Sequence, residues 1–225
     1  MSSASSSSPP AASTPPFDFL AIEGNIGAGK TSLAHMLAHH YQGRLILEEF
    51  EDNTFLDKFY QNPERYAFPL EVSFLTDRYQ QMQQAFSQAS LFQRVAISDY
   101  LFDKSLIFAQ NNLQSDQMRL FRRLFNAFKP MLPRPDRIVY LYSSIDRLQA
   151  NIRHRGRPYE VNIKDCYLQQ IQEGYVRYLK SIQGRPPVLV LETTQLDFVR
   201  YREDFRRIRQ CIEAPIEQPF RYIKV

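Results

Sequence analysis

From residue 17 onward, short apolar runs alternate with stretches in which apolar residues recur at helical spacing. Residues 17–24 form an apolar run closed by glycine, and Leu33, Met36, Leu37 and Tyr41 then share one helical face, which predicts strand, loop, helix. Residues 44–50 follow the stop signal of Gly43 and read as a second strand, with Glu48 and Glu49 at its carboxyl end. A long helical stretch over 53–89 comes next. Pro63 and Pro69 are expected to divide it, because proline lacks the amide donor that an interior turn needs. Further apolar runs at 94–100, 136–144 and 187–194 each precede a helical pattern, the last over 197–212. Five nearly continuous apolar strands alternating with helices predict an α/β fold, a parallel sheet buried by helices on both faces.

The 225 residues, 44% hydrophobic and 23% charged, are enough for one globular domain, taken here as 17–225. Residues 1–16 are rich in Ser, Pro and Ala, lack the apolar core of a signal peptide and the arginines of a transit peptide, and read as a disordered tail. The 28 basic and 24 acidic residues give a net charge of +4, and the basic residues are scattered, so neither a nucleic-acid footprint nor a nucleic-acid partner is indicated. No stretch reaches the roughly 18 apolar residues of a membrane span, so no membrane partner is expected. Cys166 and Cys211 lie far apart, and neither they nor His35, His39, His40 and His154 stand at metal-ligand spacing. A reduced, cytoplasmic setting follows as the default.

The chemistry begins at Gly24-Asn25-Ile26-Gly27-Ala28-Gly29-Lys30-Thr31, which satisfies GxxxxGK[ST] between a predicted strand and a predicted helix, with Ser32 continuing the helix. Three of the chain's seven glycines sit in this loop. They let the backbone curl its amides around an anion, while Lys30 reaches the outer phosphates and Thr31 offers a hydroxyl to Mg²⁺. Asp99 closes the third apolar run and is the candidate second metal ligand, with helix capping as its other reading.

Glu48 and Glu49 stand one connection from this loop, on opposite faces of the second strand; one can accept the proton of an attacking hydroxyl and the other is a solvated or capping charge. Arg153, Arg155 and Arg157 fall within five residues around Gly156, a grouping suited to a lid that closes over phosphoryl charge, or to a basic helix end.

With these residues in place, the chain resembles the deoxynucleoside kinase family from Phe17 to about Glu192, and its bacterial purine members in particular. The segments that carry the likeness are IEGNIGAGKTSLA, ILEEF, FYQNPERYAFPLEVSFLTDRY, SDYLFDKSLIFA and RHRGRPYE. The resemblance implies a P-loop kinase fold with an arginine-rich lid. It also implies ATP and Mg²⁺ as donor and metal, and a homodimer. It puts the base on Glu49, with Lys30 and Arg155 as its catalytic companions. Tyr60 and Glu160 are expected at the sugar 3′-hydroxyl, Glu71 at the edge of the nucleobase, Arg78 beside it and Phe108 stacked on it. Arg153, Arg155 and Arg157 are expected on ATP, and Asp99 serves the metal or the acceptor hydroxyl.

Three positions depart from the family pattern. Ser98-Asp99-Tyr100 stands where many members carry Glu-Arg-Ser, which removes an arginine from the acceptor pocket; Asn151 replaces the first lid arginine; and Glu71 replaces a glutamine. An ionised glutamate only accepts hydrogen bonds, so it suits the two adjacent donors of guanine, whereas the likeness covers deoxyadenosine as well. Asp103 is the alternative base reader. The aromatic residues Tyr60, Tyr66, Phe68, Phe74 and Tyr79 otherwise read mostly as core or subunit interface. The expected activity is therefore transfer of the ATP γ-phosphoryl group to the 5′-hydroxyl of a purine deoxynucleoside in nucleotide salvage. A thymidylate-type monophosphate kinase and a non-catalytic nucleotide-binding module are the rivals; the first is disfavoured by two carboxylates at the pocket mouth.

Overall fold

The computed structural model describes residues 15–49, 53–88, 93–160, 162–182 and 185–225, so that all but the end of the expected tail lies outside the described residues. Six strands, β1 (Phe19–Gly24), β2 (Arg44–Ile46), β3 (Ala96–Ser98), β4 (Arg137–Tyr142), β5 (Val188–Glu192) and β6 (Phe220–Lys224), form one parallel sheet in the order β2-β3-β1-β4-β5-β6. Among the described residues eight α-helices accompany it: α1 (Lys30–Tyr41), α2 (Leu56–Gln61), α3 (Pro63–Ser87), α4 (Lys104–Asn112), α5 (Ser115–Phe128), α6 (Ile145–Arg155), α7 (Asp165–Ser181) and α8 (Arg202–Glu213).

Strand alternation sorts the core into two layers. Leu20, Ile22, Val139, Leu141, Leu189 and Leu191 point to one face, where Leu33 and Leu37 of α1, Leu148 and Ile152 of α6, and Ile208 and Ile212 of α8 cover them. On the other face, Ala21, Ile138, Tyr140 and Val190 meet Ile107 of α4 and Ile171 and Tyr175 of α7. Phe19 and Ile46 on that side meet Leu75 and Met82 of α3 and Phe121 and Phe125 of α5. With both faces covered, side chains of either parity must be apolar, which is why the strands read as continuous hydrophobic runs.

The sheet has one strand more than the five expected. Phe220, Arg221, Tyr222, Ile223 and Lys224 pair with β5 at the sheet edge, partly exposed, and their two cations break the apolar run by which the other strands are recognised. Pro63 does divide the long helical stretch: it opens α3 directly after Asn62, whose side chain accepts from the Arg65 amide. Pro69 does not divide it. It lies inside an uninterrupted α3, where burial of Leu70, Glu71 and Leu75 on the following turn holds the helix together.

The chain order moves outward from β1 in both directions, to β3 and β2 on one side and to β4 and β5 on the other. The connections leaving the carboxyl ends of these strands therefore diverge, opening a crevice there, the place where open parallel sheets bind ligands.

Candidate active site

The loop between β1 and α1 has the strained backbone that its glycines permit. Gly27 and Gly29 sit at φ +81° and +87°, in the left-handed region; a Cβ on Gly27 would meet the Leu148 carbonyl at 2.8 Å, and one on Gly29 the Phe198 ring at 2.8 Å. Asn25 is buried and its side-chain amide donates to the Leu168 carbonyl (2.7 Å), while its Oδ1 accepts from the Ile26 amide (2.9 Å). Asn151 donates to the Gly27 carbonyl at 2.8 Å and so ties α6 to the loop. Lys30 Nζ donates to the carbonyls of Gly24 and Asn25, both at 3.0 Å. Burial, joined by repulsion from Lys104, lowers its ammonium to about 8. An anion in the loop would reverse that shift, the electrostatic signature of a phosphate cradle.

Asp99 joins three elements. Its Oδ2 accepts from the Thr31 hydroxyl (2.5 Å) and its Oδ1 from the Glu48 backbone amide (2.8 Å), so it fixes the end of β2 against the start of α1. It does not cap a helix: α4 begins five residues later, with Asp103 in the cap position. The buried Asp99 carboxylate beside the Thr31 hydroxyl is a small, hard-oxygen donor set. It suits a Mg²⁺ ion that takes few protein ligands and completes its shell with phosphate and water.

Next to this pair lies a narrow cavity of about 120 Å³, walled by the P-loop, α2, α3, α4 and the segment after α6. Six of the residues expected on the acceptor line it: Tyr60, Glu71, Arg78, Asp99, Phe108 and Glu160. Glu49 does not. Its side chain is exposed, and its backbone amide and carbonyl are engaged by the Gln81 side chain. Glu48 occupies the place expected of Glu49. Its Oε1 accepts from Arg78 Nε (2.8 Å) in an ion pair that brings Arg78 Nη2 to 2.7 Å, and its Oε2 accepts from Lys104 Nζ (2.5 Å). The reason is parity: Ile46 and Glu48 share the face that meets α3, whereas Leu45 and Leu47 pack on the α1 side. Burial alone would raise the Glu48 carboxyl, but Lys104 and Arg78 overcome it and hold it well below the usual carboxylate range. Glu48 is thus a fixed carboxylate at the junction of cradle and cavity.

The rest of the cavity has distinct ends. Tyr60, whose phenol is pushed up by burial, stacks near Tyr159 with ring centroids 6.3 Å apart. Glu160 is buried and accepts from Arg155, with Arg157 3.5 Å away. At the other end, Glu71 is 2% exposed and its Oε1 accepts from Asn112 at 2.7 Å, with the Tyr167 hydroxyl 3.5 Å from the same amide. Arg78, stacked over Phe74 at 4.9 Å, also donates to the Ser105 hydroxyl (2.8 Å). Asp103, the alternative base reader, points elsewhere: it pairs with Lys129 and Tyr178 in a separate cavity of about 200 Å³.

A second, wider cleft of about 840 Å³ opens on the outer side of the P-loop. Gly27, Ala28, Gly29, Lys30, Thr31 and Ser32 floor it, and Arg147, His154 and residues 196–200 form its sides. Lys30, Thr31, Arg155 and Arg157 border both cavities, so the arginines span the junction as a lid would. Arg153 borders neither and is exposed. On α6, Leu148 and Ile152 face the core and Asn151 the loop, which leaves position 153 on the outer side.

Sequence reasoning missed four contributors. Lys104 and Asn112 are the first and last residues of α4, and Tyr167 lies on the first turn of α7. Glu23, inside the otherwise apolar β1, accepts from the Leu101 amide (2.5 Å) and the Tyr175 hydroxyl (2.8 Å), anchoring the segment between Asp99 and Lys104; burial raises its carboxyl above the usual range. A charge in a fully buried strand was the one available signal for Glu23. The other three depend on which helices meet.

The family model described as deoxynucleoside kinase matches residues 20–217. A deoxyguanosine kinase of Bacillus subtilis (strain 168) is 38% identical over 201 residues, covering 88% of this chain and 97% of the relative. A deoxyadenosine kinase of Dictyostelium discoideum is 32% identical, covering 88% and 79%. Among solved structures, deoxyadenosine kinase from M. mycoides with bound dATP superposes with a TM-score of 0.74 over 87% of this chain and 99% of that one, at 21% identity, a likeness of fold. The chain belongs to the deoxynucleoside kinase family and is an ATP-dependent phosphotransferase.

Proposed function

We propose that this enzyme transfers the γ-phosphoryl group of ATP to the 5′-hydroxyl of a purine deoxynucleoside, in nucleotide salvage, as a Mg²⁺-dependent cytoplasmic homodimer. The observation that carries the reading is Glu48: a carboxylate fixed by Arg78 and Lys104, between the phosphate cradle and a cavity lined by Tyr60, Glu71 and Phe108.

The nucleoside lies in the narrow cavity with its base between Phe108 and the Glu71–Asn112 pair and its sugar 3′-hydroxyl toward Tyr60 and Glu160. Its 5′-hydroxyl then faces Glu48, which orients it and accepts its proton as the oxygen–phosphorus bond forms and the bond from the γ-phosphorus to the departing ADP oxygen breaks; the role expected of Glu49 passes to Glu48. Phosphoryl transfer is mostly positioning and charge stabilisation, and a locked carboxylate suits it. ATP occupies the wide cleft, its phosphates on the amides of residues 24–32 and Lys30. Arg155 and Arg157 meet the transferring group from the lid side and help to exclude water. Thr31 and Asp99 would hold Mg²⁺, which would supply positive charge to offset that of the phosphoryl group.

A monophosphate acceptor is disfavoured. Its phosphate would meet the Glu48 and Asp99 carboxylates, while Arg78 and Lys104 are already committed to Glu48 and Arg155 to Glu160. Measuring acceptor-dependent ATP consumption with four deoxynucleosides and their four monophosphates tests the reading. Turnover with deoxyguanosine or deoxyadenosine is expected; turnover with monophosphates alone would refute it. Sedimentation at micromolar concentration checks the dimer.

A further inference from the structure

Of the buried polar atoms around the acceptor cavity, one lacks a partner among the described residues: Oε2 of Glu71. Its companion oxygen is committed to Asn112. A buried acceptor without a donor costs free energy unless a ligand supplies one, and Glu71 lines the cavity in which the nucleoside is placed above. The charged and titratable groups that act on it are Arg78 on its own helix, Lys104 on α4, Glu48 after β2 and Tyr167 on α7. Both cations are pinned by Glu48, so neither pairs directly with Glu71.

Resting on the purine reading, we propose that Glu71 selects between the two purines by its protonation state. As a carboxylate it takes the N1–H and exocyclic amine of guanine; as a carboxylic acid it donates from Oε2 to N1 of adenine and accepts from the 6-amino group.

The chemistry follows from the donor and acceptor inventory. An ionised carboxylate offers only lone pairs, and the lone pair of Oε1 not used by Asn112 acts together with those of Oε2, matching two adjacent guanine donors. Adenine presents a donor beside an acceptor, and a protonated carboxyl presents the complementary pair. Because Asn112 donates to Oε1, Oε2 is the oxygen left to carry the proton. Burial raises the Glu71 carboxyl to about 7, against the lowering effect of Asn112, Arg78 and Lys104, so both forms are present near neutrality. A glutamine at this position would lack the switch, since its amide keeps one fixed donor and one fixed acceptor.

The deciding experiment compares kcat/KM for deoxyguanosine and deoxyadenosine from about pH 6 to about pH 8, a quantity that reports ionisation of the free enzyme. A group titrating at about 7 changes its ionised fraction roughly tenfold across this range in one direction and its protonated fraction roughly tenfold in the other. The deoxyguanosine preference is therefore expected to rise about a hundredfold with pH in the wild type, and to become flat and shifted toward deoxyadenosine in Glu71→Gln. Proton counts from calorimetry in two buffers provide a check that needs no variant: deoxyadenosine binding at about pH 8 takes up close to one proton, and deoxyguanosine binding at about pH 6 releases close to one. A preference independent of pH in the wild type, or equally pH-dependent in Glu71→Gln, or no proton exchange on binding, would overturn the inference while leaving the purine kinase reading intact. Failure to turn over either purine at any pH would overturn both.

Discussion

In the narrow cavity, Glu71 apart, the carboxylates are matched to fixed partners: Glu48 to Arg78 and Lys104, Glu160 to Arg155, and Asp99 to the Thr31 hydroxyl. In the wide cleft, the anion-binding surface is backbone, bent by Gly27 and Gly29, bordered by side chains that reach solvent, such as His154 and Arg200. The contrast fits the two ligands assigned to these spaces. A neutral alcohol brings no charge to organise a site, so its site must be organised in advance, with buried ions held by each other. A polyphosphate brings several charges and can be gripped by amides and by cations at the rim.

The sharpest way to break this contrast is to remove the acceptor-side base. Glu48→Gln keeps the shape and can still touch Arg78 and Lys104, but it cannot take the proton. Turnover is expected to fall by about 10²–10⁴, while ATP binding, followed by a fluorescent analogue, changes little. Unchanged turnover would return the role to Glu49 or Asp99. Lys104→Gln comes next. It leaves Glu48 with Arg78 alone, a charge-assisted hydrogen bond of about 1.5–3 kcal/mol removed, and kcat is expected to fall by a factor of about 10–100. Restoration by Lys104→Arg would show that the positive charge next to Glu48 matters, not merely the volume. Lys104 then stands in for the arginine that Ser98-Asp99-Tyr100 leaves out.

The same contrast explains what was legible in the chain. The cradle was readable because it is built from consecutive residues whose glycines have a conformational reason to be there, and the five apolar strands because both sheet faces are covered. The acceptor cavity draws on the segment after β2 and on α2, α3, α4, α6 and α7, and no local pattern announces which helix faces which. Resemblance recovered Tyr60, Glu71, Arg78, Phe108 and Glu160 as neighbours, all of which line the cavity. It put the base on Glu49, whereas Glu48 is the one of this adjacent pair that lines the cavity, because a single step in the chain turns the side chain through the strand. Knowing that Ile46 packs on the α3 face would have decided it. Lys104 and Asn112 were invisible for the related reason that they flank α4, one facing Glu48 and the other Glu71. β6 escaped because an edge strand tolerates the charges that disqualify a buried one.

A smaller effect separates the two cavities by ionic strength. Charges within a Debye length of solvent are screened as salt rises from about 0.1 M to about 1 M, where that length shrinks from about 10 Å to about 3 Å, whereas buried pairs are screened much less. KM for ATP is expected to climb several-fold over this range with the nucleoside KM nearly constant, because the phosphates meet partly exposed arginines and the nucleoside meets none that Glu48 or Glu160 does not already hold. Equal salt responses would mean that the acceptor cavity relies on long-range charge as well.

The smallest expected effect is the most discriminating for parity. Glu49→Gln and Arg153→Ala alter two charges that the family pattern favours and the geometry places outside both the acceptor cavity and the donor cleft. Glu49 meets Gln81 only through its backbone, so losing the carboxylate costs no hydrogen bond among the described residues. Arg153 sits on the outer side of α6, opposite Asn151, which keeps its bond to Gly27 in the variant. Substitutions at such surface positions change free energies by about 0.5 kcal/mol or less, so kcat and both KM values are expected to stay within about twofold of the wild type. A Glu49→Gln variant as impaired as Glu48→Gln would mean that β2 turns its other edge to the nucleoside during turnover. The Arg78–Glu48–Lys104 bridge would then have to open for that to happen, at a cost that its two buried charge-assisted contacts make large.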